Sequence, residues 1–179
     1  HKFRFTSILL IAYLLLAFIQ VPWAQADSAD PPAEVFHLIA EGAITPAMAE
    51  YLSRGIERAE SESAAALVFQ LDTPGGSVDV MNDMVKEIRA SRVPVIVYVA
   101  PEGAMAASAG AVITLAGHAA AMPPGTSIGA ASPVGAEGED LGETMEAKTK
   151  NILKATVRSL TEGRGAEAVQ LAEEMIENA

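Results

Sequence analysis

The apolar positions of this chain fall into two periods. Short apolar runs at residues 34–40, 65–71 and 93–99, the last rich in β-branched residues, each predict a strand. The stretch from Ser77 to Ser91 instead carries Val80, Met81, Met84, Val85 and Ile88 on one face, at helical spacing. A further helix is predicted from Thr45 to about residue 60, because threonine suits the N-cap and Pro46 the first turn. Residues 106–115 read as a buried helix, although Val112-Ile113-Thr114 also fits a strand. Residues 119–122 predict a short strand and residues 123–140 a Gly- and Pro-rich loop. Two helices follow, at residues 143–162 and 166–178, broken at Gly163-Arg164-Gly165. Strands alternating with helices predict βαβ units, hence an α/β fold with a mostly parallel sheet flanked by helices. Sites in such folds lie beyond the carboxyl ends of the strands. Asp72-Thr73-Pro74-Gly75-Gly76 and Pro101-Glu102-Gly103-Ala104 both fall there.

The N-terminal pattern is of another kind. Lys2 and Arg4 precede an apolar run over residues 7–19, and Ala24-Gln25-Ala26 fits a small-x-small cleavage site. Residues 1–26 therefore predict an export signal or, because the run extends to Trp23, an uncleaved membrane anchor. Residues 27–33, with Pro31-Pro32, read as a linker to a domain over 34–179. The expected location is outside the cytoplasm, in association with a membrane.

Composition narrows the chemistry. A net charge of -11 argues against nucleic acid, which needs clustered Lys and Arg. The chain has no cysteine, which excludes disulfides, thiol catalysis and cysteine-based zinc sites. Its three histidines, His1, His37 and His118, show no metal-ligand spacing, so no metal or cofactor is expected.

Three constellations remain. Two glycines after Pro74 let the backbone turn sharply at a helix N-terminus, as an oxyanion hole, a phosphate loop or a plain tight turn would. The Lys-Ser/Thr ending of a Walker loop is missing. Asp72 would orient this loop or merely begin the turn. Ser108 lies in Ala104-Met105-Ala106-Ala107-Ser108-Ala109-Gly110, where it reads as a nucleophile or as one more small helix residue. The setting is not the Gly-x-Ser-x-Gly elbow, since Ala106 and Gly110 flank it. Lys148, Lys150 and Lys154 offer a base if burial favours the neutral amine, and otherwise a solvated helix face. A helix between Ser108 and His118 would carry that histidine to the far side of the domain, and His37 lies in a strand.

Taken in order, Asp72-Thr73-Pro74-Gly75-Gly76, Ala106-Ala107-Ser108-Ala109-Gly110 and Met122-Pro123-Pro124-Gly125-Thr126-Ser127-Ile128-Gly129-Ala130 resemble the N-terminal protease domain of NfeD-type membrane proteins. That family is partnered with stomatin-like proteins and belongs to the ClpP/crotonase fold group. The resemblance runs from about Glu34 to the chain's end. It implies repeated ββα units and a Ser-Lys dyad. Ser108 matches the nucleophile. Lys148-Thr149-Lys150-Asn151 followed by Arg158-Ser159-Leu160 matches the family layout with Lys148, made neutral by desolvation, as base. Gly75, Gly76 and Ala109 match the oxyanion hole. The implied substrates are hydrophobic peptide segments, including those of stomatin-like partners, and a homo-oligomer is expected. Full-length members continue into a further element of the domain and transmembrane helices, so this chain is expected to be a fragment or short form lacking the last strand. The competing expectations are a non-catalytic scaffold for stomatin-like proteins and a crotonase-type acyl-coenzyme A enzyme. The export signal and the missing Glu pair oppose the second of these.

Overall fold

The computed structural model describes residues 33–131 and 142–177, so the expected export signal or anchor and most of the expected linker lie outside the described residues. In chain order the elements are β1 (Val35–Glu41), α1 (Pro46–Ser61), β2 (Ala66–Asp72), α2 (Val78–Ala90), β3 (Val95–Val99), β4 (Met105–Ala107), α3 (Ala109–Ala116), β5 (Ala119–Ala121), β6 (Ser127–Gly129), α4 (Glu143–Thr161) and α5 (Ala166–Glu177). The main sheet is parallel throughout, in the order β1-β2-β3-β5, and β4 pairs with β6 in a second, two-stranded parallel sheet.

The core follows from the two periods. Alternation puts Leu67, Phe69 and Leu71 of β2, with Val95, Val97 and Val99 of β3, fully out of solvent on one sheet face. Met48, Leu52, Ile56 and Ala59 of α1 and Met81, Met84 and Ile88 of α2 are buried at helical spacing. The Thr45 hydroxyl accepts the Met48 N–H and that of Ser77 accepts the Val80 N–H, both at 3.4 Å, so each helix starts where the capping residues predict. Helix α3 is buried on nearly every side, and Thr114 satisfies its hydroxyl by donating to the Gly110 carbonyl at 2.8 Å. The ambiguous Val112-Ile113-Thr114 is thus helical. The other sheet face stays open among the described residues. Val35 and Ile39 are 55% and 52% exposed there, beside a His37–Gln70 contact of 3.1 Å.

Two expectations are corrected. The helix expected over 106–115 starts only at Ala109, because Met105-Ala106-Ala107 is a strand. The loop expected over 123–140 contains strand β6, and its residues 132–140 lie outside the described ones. Three-residue strands are too short to show a period. What holds them is pairing of Met105, Ala106 and Ala107 with Ser127, Ile128 and Gly129.

One charged group sits uneasily in this frame. Glu87 of α2 lines a shallow cleft with Ser53 and Ile56 of α1, and its Oε2 is buried with no hydrogen-bond partner. Desolvation raises its pKa, the Ser53 hydroxyl opposes this, and Asp83, Glu50 and Glu57 add to the rise. A carboxyl whose folded-state pKa lies above its unfolded value weakens the fold at neutral pH. That cost fades as pH falls through the raised value. Glu87→Gln is therefore expected to raise the melting temperature at pH 7, with the gain vanishing below roughly pH 4. Thermal unfolding of both forms across that range measures it.

Candidate active site

The site is built where β2 ends. Asp72 closes the strand, and its Oδ1 accepts the Met105 N–H at 2.9 Å. Thr73, wholly buried, then joins β4 through its backbone: its N–H donates to the Met105 carbonyl at 2.7 Å, and its carbonyl accepts the Ala107 N–H at 3.0 Å. Its side chain works on both neighbours. Oγ1 accepts the Gly75 N–H at 3.1 Å, while the methyl sits where a Cβ on Gly110 would lie 2.4 Å away. Only glycine at 110 lets α3 approach this closely.

The turn after Thr73 also needs its glycines. Gly75 has φ +111°, and a Cβ there would lie 2.7 Å from Ser108 Cβ and 3.2 Å from Ser108 Oγ. A Cβ on Gly76 would strike the Ile44 backbone at 2.5 Å. Ile44 donates its N–H to the Gly75 carbonyl at 2.8 Å and accepts the Ser77 N–H at 3.2 Å. The Gly76 N–H stands outside that ladder and has no acceptor among the described residues.

Ser108 sits between β4 and α3 at φ 53° and ψ −119°, a positive-φ conformation uncommon for a residue with a side chain. Its N–H donates to the Gly129 carbonyl at 2.9 Å, so β6 holds the bend. It occupies the N-cap position of α3, yet its hydroxyl makes no capping bond. Strain at a bend over-determined by its surroundings is a mark of functional positions. Beside it, the N–H of Ala109 is among the orphan donors of the helix start, where the dipole favours negative charge.

The structure thus brings together Ser108, Gly75, Gly76 and Ala109. It also separates the two glycines, because the Gly75 N–H is already taken by Thr73. The lysines differ among themselves. Lys150 pairs with Glu146 at 2.9 Å, and that hydrogen bond chiefly raises its pKa. Lys154 pairs with Glu177. Lys148 has no ion pair or hydrogen bond among the described residues, and none to Ser108. It is exposed, beside a shallow pocket with Gly142, Thr144 and Met145. The expected desolvation of Lys148 is therefore corrected: this face of α4 has no cover among the described residues. His118 lies past the far end of α3, where its N–H donates to the Val95 carbonyl at 2.8 Å and its Nδ1 accepts the Val95 N–H at 3.1 Å. Among the described residues no group of three His, Asp or Glu side chains could hold a metal. Sequence reasoning missed Thr73, Ile44 and Gly129. Thr73 left a signal as a hydroxyl residue opening a Pro-Gly turn, and Gly129 stood inside the third motif of the resemblance, whereas Ile44 left none.

A parallel sheet whose Gly-Gly turn abuts a positive-φ serine at the head of a buried helix defines a ClpP-like α/β protein. ClpP1 from Listeria monocytogenes shares the fold, with a TM-score of 0.57 at 19% identity over 77% of this chain and 76% of that one. The chain belongs to the NfeD1b N-terminal domain family, whose profile matches residues 34–178. It is 44% identical over 138 residues to the membrane-bound protease PH1510 of Pyrococcus horikoshii, covering 76% of this chain and 31% of the relative. It is 32% identical over 129 residues to the membrane protein NfeD1b of Bacillus subtilis, covering 72% and 28%. The chain thus spans about a third of the length of the curated relatives it matches. Two solved structures of the 1510-N membrane-bound stomatin-specific protease superpose with TM-scores of 0.73 at 38% identity over 82% of this chain. One is a serine-to-alanine variant, matched over 70% of its chain. The other is a lysine-to-alanine variant in complex with a substrate peptide, matched over 67%. The serine and lysine changed there are one residue further apart than Ser108 and Lys148, and one closer than Ser108 and Lys150. Among the described residues no helix is long and apolar enough to cross a membrane.

Thr73 holds this arrangement from inside the protein. Thr73→Val strips the buried Gly75 N–H of its acceptor and is expected to destabilise the fold by about 1–3 kcal/mol. Thr73→Ser keeps the hydroxyl and is expected to lose less. Urea denaturation of both variants reads the difference.

Proposed function

We propose that this chain carries the catalytic domain of a serine endopeptidase that uses a Ser-Lys dyad. The observation that carries the reading is Ser108. It is a strained, uncapped serine whose hydroxyl lies beside the Gly75-Gly76 turn and whose helix presents free N–H groups. Ser108 Oγ attacks the scissile carbonyl while Lys148 Nζ takes its proton. The tetrahedral oxyanion is met by the N–H groups of Gly76 and Ala109, with Gly75 shaping the approach rather than donating. The C–N bond breaks, Lys148 returns the proton to the leaving amine, and water repeats the sequence on the ester.

Lys148 is favoured as base on two grounds. It fits the family pattern Lys-x-x-Asn, and its neighbours Lys150 and Lys154 are held by carboxylates. A lysine acts as base when desolvated, and Lys148 is exposed among the described residues, so its cover has to come from outside them, as a bound chain or a second copy would supply. The substrate class we assign is a hydrophobic peptide segment of a membrane-associated, stomatin-like protein, in line with the specificity named for the relatives. The location we assign is outside the cytoplasm and bound to a membrane, and the working form is a homo-oligomer.

Against an apolar peptide, Ser108→Ala and Lys148→Ala are each expected to lower kcat by at least about 1,000-fold, whereas Lys150→Ala stays within about tenfold. Equal loss in Lys148→Ala and Lys150→Ala would move the base assignment. Undiminished cleavage by Ser108→Ala would leave the scaffold reading in its place.

A further inference from the structure

We infer that Arg164 is a positioning residue: it sets the angle between α3 and α4 and thereby the separation of Ser108 from Lys148. The inference rests on the Ser-Lys reading above. Arg164 ends the short 3-10 turn that follows α4. Its Nη2 donates to the carbonyl of Gly117, the C-cap of α3. A cation at that end of a helix meets both an orphan carbonyl and the negative pole of the dipole.

The anchor is a firm one. A Cβ on Gly117 would lie 2.7 Å from the Ala119 carbonyl and 2.9 Å from a Val97 methyl, so this residue is pressed onto the sheet. The next residue, His118, exchanges two hydrogen bonds with Val95. Arg164 therefore grips the sheet's frame and not a loose turn. On the other side, α4 and α5 are tied to each other by Arg158–Glu173 and Lys154–Glu177, so a shift of one is carried to the other.

The polarity of the two helices gives the contact its leverage. Ser108 stands at the N-terminal end of α3 and Lys148 near the N-terminal end of α4, while Gly117 and Arg164 join the opposite ends. From Lys148 to the end of α4 the helix runs about 20 Å at 1.5 Å per residue. A rotation of about 5° at the Arg164 end would move Lys148 by about 2 Å, and a 1 Å misplacement can cost about 100-fold in rate.

The experiment uses the intact chain and an apolar peptide substrate, with thermal unfolding alongside. Arg164→Ala is expected to lower kcat by about 30- to 100-fold with KM within about twofold. It is also expected to shift the acid limb of the pH–rate profile, which reports the base. Arg164→Lys keeps a donor at that end of α3 and is expected to recover most of the rate. Arg164→Ala with a lowered melting temperature but an unchanged kcat and pH profile would overturn the inference. Should Arg164→Ala not fold, Arg164→Gln is read by the same criteria. Full activity in Ser108→Ala would overturn the dyad reading and this inference together. Ser108-dependent cleavage that ignores Arg164 would overturn this inference alone.

Discussion

Thr73 is where the sheet becomes a site. A fully buried hydroxyl is costly unless it is bonded, and this one is bonded to the turn that follows it. The same residue pairs through its backbone with β4 and presses its methyl onto Gly110 at the start of α3. One residue thus fixes three segments against each other: the Gly75-Gly76 turn, the short strand that delivers Ser108, and the helix whose head that serine occupies. The close approaches across this junction leave no room for a Cβ at Gly75, Gly76 or Gly110.

The division of labour among the backbone donors follows from that junction. Because Thr73 occupies the Gly75 N–H, the oxyanion proposed above has the N–H groups of Gly76 and Ala109 left to meet it. Their fixed orientation is what makes such donors effective, since nothing must reorganise when charge develops. The lysines show the converse logic. An ion pair stabilises the charged amine, so Glu146 holds Lys150 in the form that cannot accept a proton, while Lys154 is engaged by Glu177. Lys148 is unencumbered, but it faces water until something covers it.

Much of this could be read from residues alone. The strands at 34–40, 65–71 and 93–99, the capped helices and the break at Gly165 follow from periodicity and from capping chemistry, both local properties. The site was legible only in part. Ser108 and the Gly-Gly turn stood out through the resemblance, not through any period. Strands β4 and β6 were invisible because three residues give no pattern, and their stability comes from partners distant in sequence. The role of Thr73 was hidden for the same reason: a threonine before a proline announces a turn but not what its methyl will touch. The exposure of Lys148 depends on what packs around α4, and helical spacing does not encode that.

The hydrogen bond from Ser108 to Gly129 has a consequence in time as well as in space. The serine is presented only once the chain beyond it has been made, has returned, and has laid β6 alongside β4. A ribosome that has released the Gly-Gly turn and Ser108 but not yet Gly129 has produced an ordinary serine on an unformed bend. The bent geometry at Ser108 is thus a late product of synthesis. On the serine-protease reading proposed above, a growing chain, surrounded by its own unfolded apolar segments, is spared a nucleophile at the moment when it would be most vulnerable to one.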